Sequence, residues 1–141
     1  MTKRNKYLIP VLGLNLSLVV LSFTVIEPEC NSVKNGRFHF YQNSGQHHSI
    51  VIRKDSLQTE VNLSTGDSTF WRILWFSDCQ FTCSYISGSK IKSQEEQDFY
   101  KRSTLTFNIL KTTKKYYTYD ALFTSGNDSR RFSDTMWLVA K

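Results

Sequence analysis

Hydrophobic and polar residues alternate along most of the chain after residue 35, in short runs separated by polar or glycine-containing turns. Such runs are typical of β-strands that bury one face. The one long polar stretch, residues 87–102, is predicted as a loop or a short helical turn. The pattern predicts eight strands, at residues 36–42, 48–54, 57–63, 68–76, 80–86, 103–111, 115–123 and 131–140.

Eight strands joined almost throughout by short turns predict an all-β, antiparallel, up-and-down meander. A meander of eight strands can close into a barrel, and closure removes the two exposed edges of the sheet. We therefore expect an eight-stranded barrel, with a small two-sheet β-sandwich as the alternative.

Residues 7–26 form a 20-residue block without a charged side chain, and Lys3, Arg4 and Lys6 precede it. A basic start followed by an apolar run is typical of a secretory signal or an N-terminal membrane anchor. We expect residues 1–26 to form a hydrophobic helix of this kind, and residues 27–141 to form a single β domain outside the cytoplasm. Cleavage and retention both stay open, because the block is long enough to span a membrane.

The net charge of the chain is +6, but the three cations that precede the apolar block supply half of that excess. Without the three cations at positions 3, 4 and 6, 15 basic residues face 12 acidic ones. A nucleic-acid-binding protein has a denser basic stripe. Nucleic acid is therefore not an expected partner.

Three cysteines lie in the part of the chain that would be exported, and exported cysteines tend to form disulfides. A strand separates Cys79 from Cys83 by about 13 Å, whereas a disulfide needs Cα atoms within about 7 Å. These two cysteines should therefore not bond to each other. We prefer the pair Cys30–Cys79, which would tie the first residues of the domain to a central hairpin, with Cys83 as a small buried apolar side chain. Lipid attachment at Cys30 is the alternative, and Pro28 and Glu29 disfavour it because a small residue should precede the cysteine.

Three short motifs between residues 30 and 85 resemble those of a known group. They are Cys30-x5-Gly36-x-Phe38, Ile52-Arg53-x-Asp55-Ser56-x-Gln58-x-Glu60 and Trp75-x2-Asp78-Cys79-x-Phe81. They are similar to motifs of small exported bacterial proteins that have a lipocalin-like β fold and no assigned activity. The resemblance implies a lipocalin-like barrel in which Cys30 and Cys79 belong together, and it implies no catalysis. The chain departs from the group at Cys83 and at Phe81, where a tyrosine is expected.

Residues that could support catalysis or metal binding are sparse. The histidines are His39, His47 and His48, and neighbouring residues of a strand point to opposite faces, so we expect structural or solvent-facing roles. The glutamates, including Glu60, are scattered and are predicted to be exposed. The two cysteines at Cys-x3-Cys spacing lack the second ligand pair of a structural zinc site. We therefore expect no enzyme, no metal and no cofactor.

Aromatic residues make up 14% of the chain and allow two functions. Rings on inward-facing stripes either fill the core of a small barrel or line a cavity for one apolar ligand. The first function is a lipocalin-like module that binds a small hydrophobic ligand. The second is a non-catalytic structural or interaction domain with a filled core, whose partner is a protein of the cell envelope. In either case the membrane is a further partner if residues 1–26 are retained. The candidate ligand-binding residues are Trp71, Trp75, Phe81, Tyr85, Phe107, Tyr117 and Tyr119.

Overall fold

The computed structural model describes residues 28–42 and 47–139. They form a closed barrel of eight antiparallel strands in sequence order, in which the first strand also pairs with the last. A 3₁₀ helix, Cys30–Val33, precedes the barrel, and helix α1, Gln94–Arg102, lies between the fifth and sixth strands. The strands are β1 (Gly36–Gln42), β2 (His47–Lys54), β3 (Leu57–Asn62), β4 (Ser68–Trp75), β5 (Gln80–Gly88), β6 (Ser103–Thr112), β7 (Tyr116–Ser125) and β8 (Asp128–Leu138).

The structure confirms the predicted all-β, up-and-down barrel, and closure through β1 and β8 makes the sandwich alternative wrong. The polar stretch 87–102 contains α1, which begins where the Ser93 hydroxyl accepts a hydrogen bond from the Glu96 amide. The predicted N-terminal hydrophobic helix, residues 1–26, lies outside the described residues. No helix within residues 28–42 and 47–139 has the length and apolar character needed to cross a membrane.

The two ends of the barrel differ. At the end that we call the closed end, the 3₁₀ helix Cys30–Val33 precedes β1, and short turns join β2 to β3, β4 to β5 and β6 to β7. At the opposite end, which we call the mouth, residues 89–102 connect β5 to β6 and include α1. Helix α1 contacts β5, β6 and β7. The long connection is therefore the element that covers part of the mouth.

Strand β3 turns its polar face toward the barrel interior. Gln58 is 5% exposed, whereas the neighbouring Leu57 is 42% exposed. A two-residue turn, in which Asp55 adopts a left-handed φ of 55°, sets Arg53 of β2 opposite Gln58. Arg53 Nε donates a hydrogen bond of 2.8 Å to Gln58 Oε1. This register places the alternate residue Glu60 inside as well, because side chains on a strand repeat every second residue.

Arg53 is the centre of the packing at the closed end. Its side chain is 2% exposed, and its guanidinium carbon lies 4.7 Å from the ring centre of Phe81, 5.2 Å from that of Phe38 and 5.4 Å from that of Tyr117. Nη1 donates to the Val33 carbonyl at 3.2 Å, which joins the 3₁₀ helix to the barrel. Arg53 makes no salt bridge within the described residues. Ring faces and two uncharged oxygens therefore stabilise its buried charge.

A disulfide between Cys30 and Cys79 also fastens the 3₁₀ helix, this time to the turn before β5, and it confirms the predicted pair. Cys83 is buried and unpaired, as predicted. Desolvation raises the pKa of its thiol to about 12, and the positive charge of Arg53 opposes that rise. Cys83 therefore stays a neutral thiol at physiological pH.

Replacing Cys30 and Cys79 together by serine should lower the free energy of unfolding by about 4 kcal/mol, because the disulfide restricts the unfolded chain over a separation of 49 residues. Urea unfolding measures this loss. Peptide mapping without reduction should recover one linked peptide pair in the native protein and in a Cys83→Ala control. Recovery of Cys30 or Cys79 as a free thiol would exclude the pairing.

Arg53→Lys should lower the free energy of unfolding by about 2 kcal/mol, because an ammonium group cannot reproduce the planar fork that reaches both Gln58 and Val33. Arg72→Lys is the matched control, since Arg72 is exposed on β4, and it should change stability by less than about 0.5 kcal/mol. Thermal and urea unfolding of both variants provide the comparison. Equal effects of the two substitutions would contradict the role given to Arg53.

Candidate ligand-binding site

Two adjoining cavities occupy the half of the barrel near the mouth. One has a volume of about 250 Å³ and a largely polar lining, and the other has a volume of about 560 Å³ and a largely apolar lining. Gln42, Trp71 and Tyr100 line both. We treat the two cavities as the polar compartment and the apolar compartment of one cup.

The polar compartment is built by inward-facing positions of three consecutive strands. Ser49 of β2 lies opposite Asn62 of β3, and Glu60 of β3 lies opposite Thr69 of β4. All four side chains line the compartment. These four side chains lie on the inner face of the sheet, the face that carries Arg53 and Gln58 nearer the closed end. This wall is polar because β3 turns its polar residues inward.

Aromatic packing holds α1 over the apolar compartment. The ring of Phe99 lies 5.9 Å from that of Phe123 on β7, and the ring of Tyr100 lies 5.5 Å from that of Tyr85 on β5 and 6.4 Å from that of Trp71 on β4. Phe99, Tyr100, Phe123 and Trp71 all line the compartment. Helix α1 therefore supplies a partial roof of rings.

The apolar compartment lies beside the weakest seam of the barrel. Pairing between β1 and β8 covers three residue pairs, from Phe38 to Phe40 on β1, whereas β7 and β8 pair along ten residues. Toward the mouth, Gln42 of β1 and Arg130 and Phe132 of β8 line the compartment instead of pairing with each other. Within the described residues, the cup therefore borders the stretch where β1 and β8 are not hydrogen-bonded to each other.

The seven aromatic residues that the sequence analysis proposed as ligand-binding residues fall into two groups in the structure. Trp71 lines both compartments, and Tyr85 packs against it at 5.8 Å between ring centres. The other five form a continuous chain of ring contacts, with centres 4.4 to 6.0 Å apart, that does not line the cup. In the order of contact they are Trp75, Phe81, Phe107, Tyr119 and Tyr117.

Desolvation affects the titration of the chain's interior tyrosines. Burial raises the pKa of Tyr117 and of Tyr119. The positive charge of Arg53 opposes both rises without cancelling them. Both hydroxyls therefore remain protonated at physiological pH and act as core groups rather than acids or bases.

Glu60 is a half-buried carboxyl group on the polar wall, so the prediction that it is exposed is wrong. Desolvation raises its pKa above the ordinary value, while the Ser49 hydroxyl and the Lys90 ammonium oppose the rise. It makes no salt bridge within residues 28–42 and 47–139. The sequence places Glu60 on the same face of β3 as Gln58. It does not show which of the two faces points into the barrel, and for that reason the burial of Glu60 could not be predicted.

Trp71, which lines the cup, carries a buried hydrogen-bond donor without a partner in the described part of the chain. Its side chain is 9% exposed, and its indole Nε1 has no hydrogen-bond partner within the described part of the chain. Sequence reasoning selected Trp71 for its ring and missed Tyr100, which lies in the polar stretch 87–102 and reaches the cup only because α1 folds over the mouth.

The histidines do not assemble a metal centre. His39 Nδ1 and His48 Nε2 lie 2.8 Å apart across the β1–β2 hairpin, and the ring of Tyr41 stacks on His48 with 4.4 Å between ring centres. His47 lines the polar compartment instead. Among the residues that the structure describes, no group of three or more histidine, cysteine or acidic side chains is arranged to hold a metal ion.

No protein-family model, curated protein or solved structure matches the chain.

Glu60→Gln should raise the melting temperature at pH 7. Because the pKa of Glu60 is higher in the folded protein than in the unfolded chain, folding favours its protonated form. The corresponding stability is present below the ordinary pKa of the carboxyl and is lost as the pH rises through the raised value. The gain from Glu60→Gln should therefore be small at pH 4 and largest at neutral pH.

Calorimetry of the native protein and of the Glu60→Gln variant across this pH range measures the effect. Glu95→Gln is the matched control, because Glu95 is exposed on α1, and it should show no such pH-dependent gain. A lower melting temperature of Glu60→Gln at pH 7 would show that the native carboxylate stabilises the fold.

Proposed function

We propose that the protein is a lipocalin-like, non-enzymatic binding module that takes a small, mainly apolar ligand in its cup. The observation that supports this most is the cup itself, above an interior that is otherwise filled with rings. The apolar compartment of about 560 Å³ falls in the range of roughly 300–1,000 Å³ that is typical of small-molecule sites.

The lining of the apolar compartment fits an apolar guest. Leu105, Phe123 and Phe132 come from three consecutive strands, and Phe99 closes the space from α1. Burying apolar surface of a ligand there is worth roughly 25 cal/mol per Å². Trp71 and Tyr100, with one polar atom each, lie where the compartment meets the polar wall.

We place this module outside the cytoplasm. The disulfide Cys30–Cys79 supports that location, because structural disulfides persist mainly in oxidising compartments. The basic start of the chain and the apolar block 7–26 support it as well. Residues 1–26 would then direct export or anchor the domain to a membrane.

A second candidate is an interaction domain of the cell envelope, and exposed apolar side chains favour it. Leu74 on β4 is 67% exposed, and Leu57 at the start of β3 and Leu63 just after its end are also exposed. Leu57 points outward because the polar face of β3 points into the barrel. In this alternative the outer surface contacts a partner protein and the cup stays empty.

Leu105→Trp should weaken the binding of the uncharged fluorescent probe N-phenylnaphthylamine by at least about tenfold, because the larger indole would occupy the apolar compartment and deprive the probe of its buried surface. Leu110→Trp is the matched control, since Leu110 lies on the exposed face of the same strand. Fluorescence titration measures both affinities, and circular dichroism reports whether the variants fold. Absence of saturable binding to the native protein, or equal losses in the two variants, would favour the interaction domain.

A further inference from the structure

The cup has two walls of different chemistry that meet at Trp71 and Tyr100. Inward-facing side chains of β2, β3 and β4 form the polar wall, and α1, β6, β7 and β8 supply most of the apolar wall. A ligand that fills both compartments therefore has one polar end and one apolar end.

Charged side chains at the polar compartment include two acids, Glu60 and Asp67, and one base, Lys90. Asp67 lies in the turn before β4, where its carboxylate accepts hydrogen bonds from the hydroxyls of Thr65 and Ser89. Lys90 is exposed and follows β5. Of the three, Glu60 alone belongs to a strand and faces the interior of the barrel.

Two aromatic side chains flank the same space. The rings of Trp71 and Tyr100 both line the polar compartment, with 6.4 Å between their centres and 73° between their planes. At this angle the two rings form an edge-to-face pair beside the compartment. Aromatic rings and carboxylates are the groups by which proteins bind ammonium ions.

We infer that the polar compartment binds the ammonium head of a cationic amphiphile whose apolar tail lies in the apolar compartment. Glu60 supplies the opposite charge, and Trp71 and Tyr100 supply ring faces. The inference deepens the proposed function and rests on it, since it assumes that the cup takes a ligand.

Head groups of other charge fit the same wall less well. An anionic head would place a second negative charge beside Glu60 in a partly desolvated space. An uncharged head would leave the carboxylate with the exposed Lys90 ammonium as the opposite charge that acts on it, because Glu60 makes no salt bridge within the described ranges. The apolar wall does not carry a net charge that would attract a charged head group, because its two charged residues, Asp128 and Arg130, have opposite charges.

The test compares three probes that share a decyl tail and differ in the head group: decylamine, decanol and decanoate. Calorimetric titration at pH 7 should give the tightest binding for decylamine, about tenfold tighter than decanol, since a hydrogen bond to a charged group adds roughly the free energy of one decade in affinity. Decanoate should bind more weakly than decanol.

The variant Glu60→Gln separates the head group from the tail. It should reduce the affinity for decylamine to that for decanol and leave the affinity for decanol within about twofold of its native value, because only the charged contact is lost. The substitution preserves the size of the side chain, and a melting curve recorded in parallel shows that the barrel is folded. The Glu95→Gln control should bind all three probes as the native protein does.

The possible results distinguish failure of the ammonium site from failure of the proposed function. Binding of decanol without a preference for decylamine, tighter binding of decanoate, or a preference for decylamine that persists in Glu60→Gln would overturn the ammonium site and leave the proposed function standing. If the native protein binds none of the three probes, the proposed function fails and the inference fails with it.

Discussion

The contact on which the rest of the structure depends is the pair formed by Arg53 and Gln58. A buried guanidinium needs hydrogen-bond acceptors, and Gln58 can supply one only if the polar face of β3 points into the barrel. The tight turn at Asp55 and the rings around Arg53 hold both partners in that register. Since side chains alternate along a strand, the same choice brings Glu60 inside and turns Leu57 outside. A packing requirement at the closed end thus determines the chemistry of the mouth.

The barrel divides its interior between a solid half and an open half. Near the closed end, Arg53, the 3₁₀ helix and a chain of stacked and tilted rings fill the space, and the disulfide fixes the helix in place. Near the mouth, α1 covers part of the opening with two aromatic side chains, and the pairing of β1 with β8 ends at Phe40 of β1. Cavities and a half-buried carboxyl cost stability. The filled half offsets that cost, so the cup can exist in so small a barrel.

The strands could be predicted because local rules determine them, whereas a local rule only narrowed the choice of disulfide. Alternation with a period of two and short polar turns marked the strands, and the length of a strand kept Cys79 from pairing with Cys83. The orientation of β3 could not be predicted, since alternation defines two faces and the burial of Arg53 chooses between them. The aromatic stripes correctly indicated which rings face inward. How far each ring lies from the mouth depends on how the strands are staggered in the closed barrel, which the stripes do not show. As a result, Trp71 lines the cup, whereas Phe107 packs against Phe81 below it. Tyr100 depends on how α1 packs, which no local pattern specifies.

A crystal structure of the protein with bound decanol tests the division of the interior most directly. We predict electron density for the alkyl chain in the apolar compartment, against Leu105 and Phe123 and beneath α1, with its hydroxyl toward Trp71 and Tyr100. The rings below Trp71 should keep their contacts. Density on the outer face of β3 and β4, or a cup closed by collapse of α1 onto Leu105, would contradict the account.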